Sequence, residues 1–199
     1  MTAWKCLVLT LFVVGVVFAA ASGTPADEGK TELNKGDKAP SFEATDDEGK
    51  TWKSSDHVGK KVIVVYFYPA DFTGGCTKQA CTYRDDMDKL TAKGILVVGV
   101  SGDTAKTHEL FKKHHKLNYP LLADDQGEIA KKFGVPTRPG GTVDGIDENG
   151  KKVKVTRGVT IMRWTFVIGK NGKVIYKNAN VKPAEDSKQI VEAIEKESK

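Results

Sequence analysis

The sequence predicts an α/β domain in which a central mixed sheet is flanked by helices and preceded by an N-terminal β-hairpin. Three observations carry this expectation. Val62–Tyr68 and Ile95–Val100 are uninterrupted apolar runs, rich in β-branched residues and typical of strands buried on both faces. Helix-period patterns alternate with such runs, as in layered α/β domains. Asn171–Gly172 favours a two-residue hairpin turn into Lys173–Lys177, which indicates an antiparallel end to the sheet.

Three helices carry clear signals. Residues 75–92 place apolar or small side chains at steps of three and four, and Gly94 follows as a C-terminal stop. A short helix is expected at about 126–133. A last helix is expected at about 184–197, with a proline near its first turn. The predicted buried face of the first helix consists of Cys76, Ala80, Tyr83, Met87 and Leu90.

A small hairpin, one further strand, one more helix and one irregular stretch complete the expected order. Residues 42–52 predict a small hairpin, and the apolar run Val159–Ile168 predicts one strand. Residues 134–158 are rich in Gly and Pro and predict either a long loop or a hairpin turned at Glu148–Gly150. A helix should begin after Asp103 as its N-cap. Its expected inward side chains are Leu110, Phe111 and His114.

The composition is that of a chain that folds around a real core. Of 199 residues, 39% are hydrophobic and 29% are charged, which excludes intrinsic disorder as the main state. The formal net charge of +5 comes from 31 basic and 26 acidic residues. No concentrated basic stripe with interleaved aromatics occurs, so we expect no nucleic-acid partner. Three cysteines are too few for a disulfide scaffold or a four-thiolate zinc site.

The first residues predict a targeting segment. In residues 1–21, Lys5 is the only charge, Leu7–Phe18 is an apolar run, and small residues follow at Ala19–Ser22. This pattern is typical of a cleaved secretory signal peptide. The alternative is an uncleaved membrane anchor, although the run is shorter than the roughly 20 residues that span a bilayer.

Signal cleavage would define the mature chain. We then expect a flexible polar leader at 22–36 and one catalytic domain at 37–199. The protein would be exported, periplasmic or secreted, without stable membrane insertion. Cys6 would be discarded with the signal, which leaves Cys76 and Cys81 in a compartment that permits disulfides.

The segment Tyr68–Cys81 carries the predicted chemistry. It leaves the end of a buried strand and enters a helix, the place where open α/β sheets carry their sites. Cys76 falls in the first turn of that helix, where unpaired N–H groups and the helix dipole favour a thiolate. Thr73 can place a hydroxyl beside the sulfur. Pro69 closes the turn without an N–H that needs a partner.

Arg163 is the second unusual residue, because it interrupts the apolar run Val159–Ile168. A buried guanidinium needs an anion, since its desolvation is otherwise strongly unfavourable. Two anions are plausible from the residues alone, a structural carboxylate or the Cys76 thiolate. A guanidinium is well suited to hold a thiolate and a neighbouring oxygen together.

Cys81 follows Cys76 by five residues. On an intact helix their Cα atoms would be roughly 8–9 Å apart, beyond the ~7 Å limit for a disulfide. The two can therefore bridge only if this turn of helix unwinds. The alternative is two unrelated helix cysteines. The position of Cys76 and the two glycines before it favour a functional pair.

These motifs resemble a known family. Pro69-x-x-x-Thr73-x-x-Cys76 matches the peroxiredoxin signature. Gly75-Cys76-Thr77-x-Gln79-Ala80-Cys81-x-x-Arg84-Asp85 resembles the bacterioferritin-comigratory-protein, or peroxiredoxin Q, subgroup. Residues 163–174 are similar to that family's arginine strand. The resemblance covers about residues 34–197 and implies a thioredoxin-like fold with thiol peroxidase activity.

The resemblance also implies roles for individual residues. Cys76 would be the peroxidatic cysteine and Cys81 the resolving one. Pro69 would shield the sulfur, while Thr73 and Arg163 would orient and polarise the peroxide. The substrate would be hydrogen peroxide or an organic hydroperoxide, and a thioredoxin-like dithiol protein would be the reductant. No metal, haem, flavin or other cofactor is implied, and we expect a monomer or a weak dimer.

Two positions depart from the family pattern, and other functions stay open. Gly74 replaces the more usual Pro or Ser, and residues 134–158 are longer than expected. An exported thiol–disulfide oxidoreductase would normally carry Cys-x-x-Cys, but this chain has four residues between its cysteines. A redox sensor could use the same disulfide without cycling. The histidines lack metal-site spacing and are expected to be ordinary surface or packing residues; they are His57, His108, His114 and His115.

Overall fold

The computed structural model describes residue 1 and the ranges 32–147 and 149–197. The predicted signal at 1–21 therefore lies outside the described residues apart from Met1, as does the predicted leader up to residue 31. At the end of that predicted leader, Leu33 packs against the core and the Gly36 N–H donates to the Val174 carbonyl at 2.8 Å. In the ranges that are described, no helix is long and apolar enough to cross a membrane.

A mixed sheet of seven strands forms the centre and a separate two-stranded hairpin lies beside it. In the central sheet the strand order is β2-β1-β5-β4-β3-β8-β9. β3 pairs in parallel with β4 and antiparallel with β8, so the sheet is mixed as expected, and the antiparallel pair of β8 and β9 confirms the predicted antiparallel end. The strands are β1 (Glu43–Asp46), β2 (Thr51–Lys53), β3 (Val62–Phe67), β4 (Ile95–Ser101), β5 (Leu121–Ala123), β6 (Thr137–Ile146), β7 (Lys152–Ile161), β8 (Trp164–Ile168) and β9 (Val174–Asn178).

The helices cover the two faces of the central sheet. They are α1 (Gly74–Ala92), α2 (Ala105–His115), α3 (Glu128–Phe133) and α4 (Asp186–Glu197). Successive side chains of a strand point to opposite faces, so β3 feeds both cores. Val64 and Tyr66 pack in the core formed with α1, α2 and α4, whereas Val65 and Phe67 pack in the core that includes α3. The predicted buried face of α1 is confirmed, with all five side chains buried.

The stretch 134–158 contains a hairpin, as one of the two expectations had it. β6 and β7 pair antiparallel from Thr137–Ile161 to Ile146–Lys152. β7 continues to Ile161, so the predicted single strand Val159–Ile168 is wrong. The chain leaves the hairpin at Ile161, turns at Met162–Arg163 and enters β8 in the central sheet. Arg163 thus lies in a junction between two strands.

Two expectations for α2 are also wrong. Its N-cap is Thr104, whose side chain accepts from the Thr107 N–H, and the Asp103 side chain is instead buried in another network. His114 is exposed, and the buried histidine of this helix is His108. The Asp103 carboxylate accepts a hydrogen bond from the Asp71 N–H in a neighbouring loop and is therefore not the cap. The buried face of α2 consists of Thr107, His108 and Phe111, which leaves His114 on the outside.

Candidate active site

The loop between β3 and α1 positions the start of the helix. The last residue of this loop, Thr73, is the N-cap of α1 but makes no side-chain cap hydrogen bond. Instead, Thr73 Oγ1 donates to the Ala70 carbonyl at 2.9 Å. The first-turn N–H groups of a helix have no intrahelical partner, so this arrangement leaves them available to a ligand. Pro69 is half-buried in the same loop.

Cys76 and Arg163 come together at this helix start. The Arg163 Nη2 atom lies 3.1 Å from Cys76 Sγ, and Cys76 is only 1% exposed. Gly74 and Gly75 immediately before it are exposed. A Cβ on Gly75 would lie 3.4 Å from Arg163 Nη2, so the glycine keeps the space beside the guanidinium free of a side chain.

A buried hydrogen-bond chain extends from Arg163 to α4. Arg163 Nη1 donates to Gln79 Oε1 at 2.5 Å, and Gln79 Nε2 donates to Asp186 Oδ2 at 2.7 Å. The same carboxylate oxygen accepts from Tyr83 and Thr165, each at 2.8 Å. Burial raises the pKa of Asp186, although these hydrogen bonds and the charge of Arg163 act in the opposite direction.

A second buried hydrogen-bond network joins the loop before α1 to α2. Asp71 Oδ2 lies 2.7 Å from His108 Nδ1, and Asp71 Oδ1 accepts from the Tyr68 hydroxyl at 2.8 Å. The other ring nitrogen of His108 lies 3.2 Å from the Leu122 carbonyl. Since both ring nitrogens face acceptors, the imidazolium form satisfies both. Burial alone would lower the pKa of His108, but Asp71 and Asp103 raise it above the ordinary value.

Asp103 joins this network from the end of β4. Its Oδ2 accepts from the Asp71 N–H at 2.9 Å and from the Ser101 hydroxyl at 2.7 Å. Burial, followed by the nearby charge of Asp71, raises the pKa of Asp103. The loop that leads into Cys76 is therefore tied to α2 and β4 through side chains that exclude water.

Cys81 lies on the same uninterrupted helix as Cys76, and both are free thiols. Cys81 is half-buried. One helical turn further on, Arg84 donates to the His115 carbonyl at 2.7 Å and to Asp85. An intact α1 keeps the two sulfurs in separate places, as the five-residue spacing predicts.

A match to a protein-family model shows the family of this chain. The AhpC/TSA model matches residues 35–177. The chain belongs to the AhpC/TSA family. Two relatives in this family are the chloroplastic peroxiredoxins Q of Populus jackii and Sedum lineare, 43% and 41% identical over 149 residues, which is 74% of this chain. The matched stretch spans 62% of the Populus protein, less than two thirds of its length, and 70% of the Sedum protein.

Two solved structures have the same fold as this chain. Peroxidoxin BcpB from Mycobacterium tuberculosis superposes with a TM-score of 0.69 at 29% identity, covering 82% of this chain and 97% of BcpB. The bacterioferritin comigratory protein of Xanthomonas campestris superposes with a TM-score of 0.65 at 24% identity, covering 79% of this chain and 92% of its own. The expected thioredoxin-like α/β fold and the family resemblance are thus confirmed.

Within this AhpC/TSA domain, the structure brings some of the predicted site residues together. Cys76 and Arg163 lie in contact, and Pro69 and Thr73 line the preceding loop. The residues that support them were missed. A signal for two of them existed, since an acidic residue in the loop and a histidine at an inward helical position indicate a buried pair. The missed residues are Asp71, Gln79, Asp103, His108 and Asp186.

The hairpin of this domain reaches the loop before α1. Phe72 has a φ of 59°, a left-handed conformation that is uncommon for a bulky side chain. Its ring packs edge-on against Phe111 at 5.1 Å. A Cβ on Gly145 of β6 would lie 3.2 Å from the Phe72 ring, so a larger residue there would have to displace the ring slightly. Phe72 thereby joins α2, the hairpin and the loop that carries Thr73.

Proposed function

We propose that this protein is a thiol-dependent peroxidase that reduces hydrogen peroxide and organic hydroperoxides. The observation that carries the proposal is the 3.1 Å contact between Arg163 Nη2 and Cys76 Sγ at an uncapped helix start. A guanidinium at this distance stabilises the thiolate form of the sulfur. Membership of the AhpC/TSA family and the similarity to chloroplastic peroxiredoxins Q support the same activity.

The polar groups around the sulfur suit a small substrate with two adjacent oxygens. The proton of the Thr73 hydroxyl is committed to the Ala70 carbonyl, so its oxygen is free to accept a hydrogen bond from a peroxide O–H. Arg163 and the first-turn N–H groups of α1 are donors for peroxide oxygens. The half-buried Pro69 contributes no N–H and limits the access of water to the sulfur.

The first chemical step is a displacement on oxygen. The Cys76 thiolate attacks the terminal oxygen of the hydroperoxide, an S–O bond forms, and the O–O bond breaks. The leaving alkoxide or hydroxide takes a proton and departs as an alcohol or water, and Cys76 becomes a sulfenic acid. The donors on Arg163 and α1 stabilise the charge that develops on the leaving oxygen.

The second step uses Cys81 as the resolving thiol. Residues 76–81 must unwind before the two sulfurs can meet. Cys81 then attacks the sulfenic sulfur, water leaves, and an intramolecular disulfide forms. A thioredoxin-like dithiol protein reduces this disulfide by exchange and is itself oxidised.

The cellular targeting of the protein and its oligomeric state are proposed from the sequence alone. We propose that residues 1–21 are a cleaved signal peptide, residues 22–36 a leader and residues 37–199 the catalytic domain of an exported protein. The apolar run Leu7–Phe18 and the small residues after it support this division. We further propose a monomer or a weak dimer.

Mass spectrometry after one equivalent of hydrogen peroxide tests the mechanism. Trypsin cleaves after Lys78, so it separates Cys76 and Cys81 into different peptides unless a disulfide joins them. Wild type should give the joined pair. Cys81→Ser should stop at a sulfenic acid that dimedone traps on Cys76, and Cys76→Ser should consume no peroxide.

The controls separate this proposal from the two other functions. A thiol–disulfide oxidoreductase would reduce insulin and leave peroxide unconsumed. A sensor would consume one equivalent of peroxide and then stop, even with a dithiol protein present. If Cys76→Ser consumed peroxide as fast as wild type, the proposed activity would be wrong.

A further inference from the structure

Asp186 is a buried hydrogen-bond hub at the start of α4. Its side chain has no exposed surface, and its Oδ2 atom accepts three hydrogen bonds from Gln79, Tyr83 and Thr165. Its Oδ1 atom is one of three buried side-chain atoms without a hydrogen-bond partner among the described residues. The carboxylate therefore joins α4 to α1 and β8 through a single oxygen.

Gln79 is the donor that connects this hub to the reactive sulfur. A carboxylate only accepts hydrogen bonds, so Asp186 selects the NH₂ end of the Gln79 amide. The Oε1 end is thereby turned to Arg163, whose other terminal nitrogen contacts Cys76. Without an acceptor at position 186, the amide could flip and present donors to a guanidinium that cannot accept them.

Gln79 also lies between the two cysteines. Joining Cys76 to Cys81 requires the Cα atoms to approach from roughly 8–9 Å to below ~7 Å. The residues between them must then leave helical geometry, and Gln79 cannot keep both of its hydrogen bonds. Tyr83 and Thr165 lie outside this segment, so Asp186 keeps two of its three donors and the hub is ready to bind Gln79 again.

A buried carboxylate with neutral partners is a poor means of stabilising a fold. Its desolvation is unfavourable, and apolar residues in such places often give equal or greater stability. A role in holding one side chain accounts better for the three donors gathered on one oxygen of Asp186.

We propose that Asp186 is a positioning residue that holds Gln79, and through it Arg163, in the arrangement that reacts with peroxide. The same hydrogen bond slows disulfide formation, because it stabilises the helical form of residues 76–81 against the unwound form. This inference rests on the proposed peroxidase cycle. Asp186 thus acts on the two steps in opposite directions and sets how long the Cys76 sulfenic acid is exposed to a second peroxide.

The test measures both steps in the reduced mature protein by rapid quench and mass spectrometry. Asp186→Ala should slow the reaction of Cys76 with peroxide by about tenfold and speed disulfide formation by about three- to tenfold, the size expected for losing a hydrogen bond to a charged group. At high peroxide it should also form less sulfinic acid. Asp186→Asn keeps one acceptor oxygen, so both shifts should be smaller and in the same directions.

A matched control is available on the same pair of helices. Ser187 Oγ donates to Asp86 Oδ2 at 2.7 Å, which also joins α4 to α1 but lies beyond Cys81. Ser187→Ala should change neither rate by more than about twofold, because its partner stays helical during unwinding.

The outcomes separate the two levels of inference. If wild type forms no Cys76–Cys81 disulfide, the proposed cycle is wrong. If wild type forms it and Asp186→Ala slows both steps alike, or Ser187→Ala has the same effect, Asp186 is merely structural and the inference is overturned. Should Asp186→Ala fail to fold, Asp186→Asn decides: two shifts of opposite sign support the inference, and unchanged rates overturn it.

Discussion

Two buried carboxylates support the two sides of the Cys76 site, and they differ in the partners they hold. Asp71, in the loop before α1, is paired with His108, a side chain that can carry the opposite charge. Asp186, at the start of α4, is held by three neutral donors. Both carboxylates are fully buried. The first network is an ion pair, and the second is a hub of neutral hydrogen bonds.

The two carboxylates also differ in whether their partners belong to residues 76–81, the segment that has to unwind. His108 lies on α2 and does not belong to the residues between the cysteines, so the Asp71 pair can persist through the proposed cycle. Gln79 does belong to them, so its bond to Asp186 must break each time a disulfide forms. Removing one partner of a buried ion pair is strongly destabilising, whereas one hydrogen bond contributes much less. The stronger interaction is thus on the fixed side of the sulfur and the weaker one on the moving side.

The largest effect is expected for His108→Ala, which leaves the Asp71 carboxylate buried without its partner. The free energy of unfolding should fall by about 3–5 kcal/mol, as for other broken buried pairs. Urea denaturation of the reduced protein measures it. Adding Asp71→Asn to His108→Ala removes the unpaired charge and should restore part of the loss. A single-variant loss below about 1 kcal/mol would mean that the pair is not ionised.

A smaller effect, and one on activity, is expected for Arg163→Lys. The guanidinium contacts Cys76 Sγ and Gln79 Oε1 through two different nitrogens of one planar group, a geometry that the single nitrogen of an ammonium group does not reproduce. The rate of peroxide reduction should fall about 100-fold, the size seen when one donor to a developing anion is removed. Stopped-flow kinetics with excess peroxide measure this rate.

Arg138→Lys is the matched control for that change, because Arg138 is exposed on β6. Arg138→Lys should leave the rate of peroxide reduction unchanged. The free energy of unfolding of Arg163→Lys should remain close to that of wild type. Equal rates in Arg163→Lys and wild type would remove the guanidinium from the proposed mechanism.

The contact between Cys76 and Arg163 is one of the two alternatives that local signals in the sequence left open for Arg163, and the family resemblance favoured it. Cys76 follows a buried strand and opens a helix, and Arg163 is a charge within an apolar run. The break at Met162–Arg163 was not predicted, although the charge of Arg163 lies in it, because the end of β7 and the start of β8 together read as one apolar run. Ile161 pairs with Thr137 in the hairpin, while Trp164 pairs with Phe67 in the central sheet, and only tertiary structure separates them.

Asp186 illustrates what local signals conceal. An acidic residue in the first turn after Pro183 is typical of an exposed helix start, where its negative charge would interact favourably with the helix dipole. Its burial arises because α4 docks on α1, so that Gln79 and Tyr83 reach it from another part of the chain. The hub therefore depends on a contact between residues about a hundred positions apart, which no sequence pattern records.

The ion pair also predicts a pH dependence of stability. The pKa of His108 is raised above its ordinary value of 6.5 by Asp71 and Asp103, which outweigh burial. A raised pKa in the folded state means that the contribution is fully present below about pH 6.5 and is lost as the pH rises through the folded value. The free energy of unfolding of the reduced protein should therefore decrease from pH 6 to pH 8. His108→Gln should flatten this slope, and a wild-type profile that rises over this range would contradict the ion pair.

The smallest effect is expected on the moving side, for Gly74→Pro. Gly74 is the first residue of α1, where proline is favoured, and a Cβ there would meet nothing within 4 Å. Thr73 before it has φ −90° and ψ 146°, the extended conformation that a following proline requires. Proline should stabilise the folded helix start by about 0.4–1 kcal/mol and slow disulfide formation about two- to fivefold. Gly74→Ala is the control and should slow it less; unchanged kinetics in Gly74→Pro would show that unwinding begins beyond residue 74.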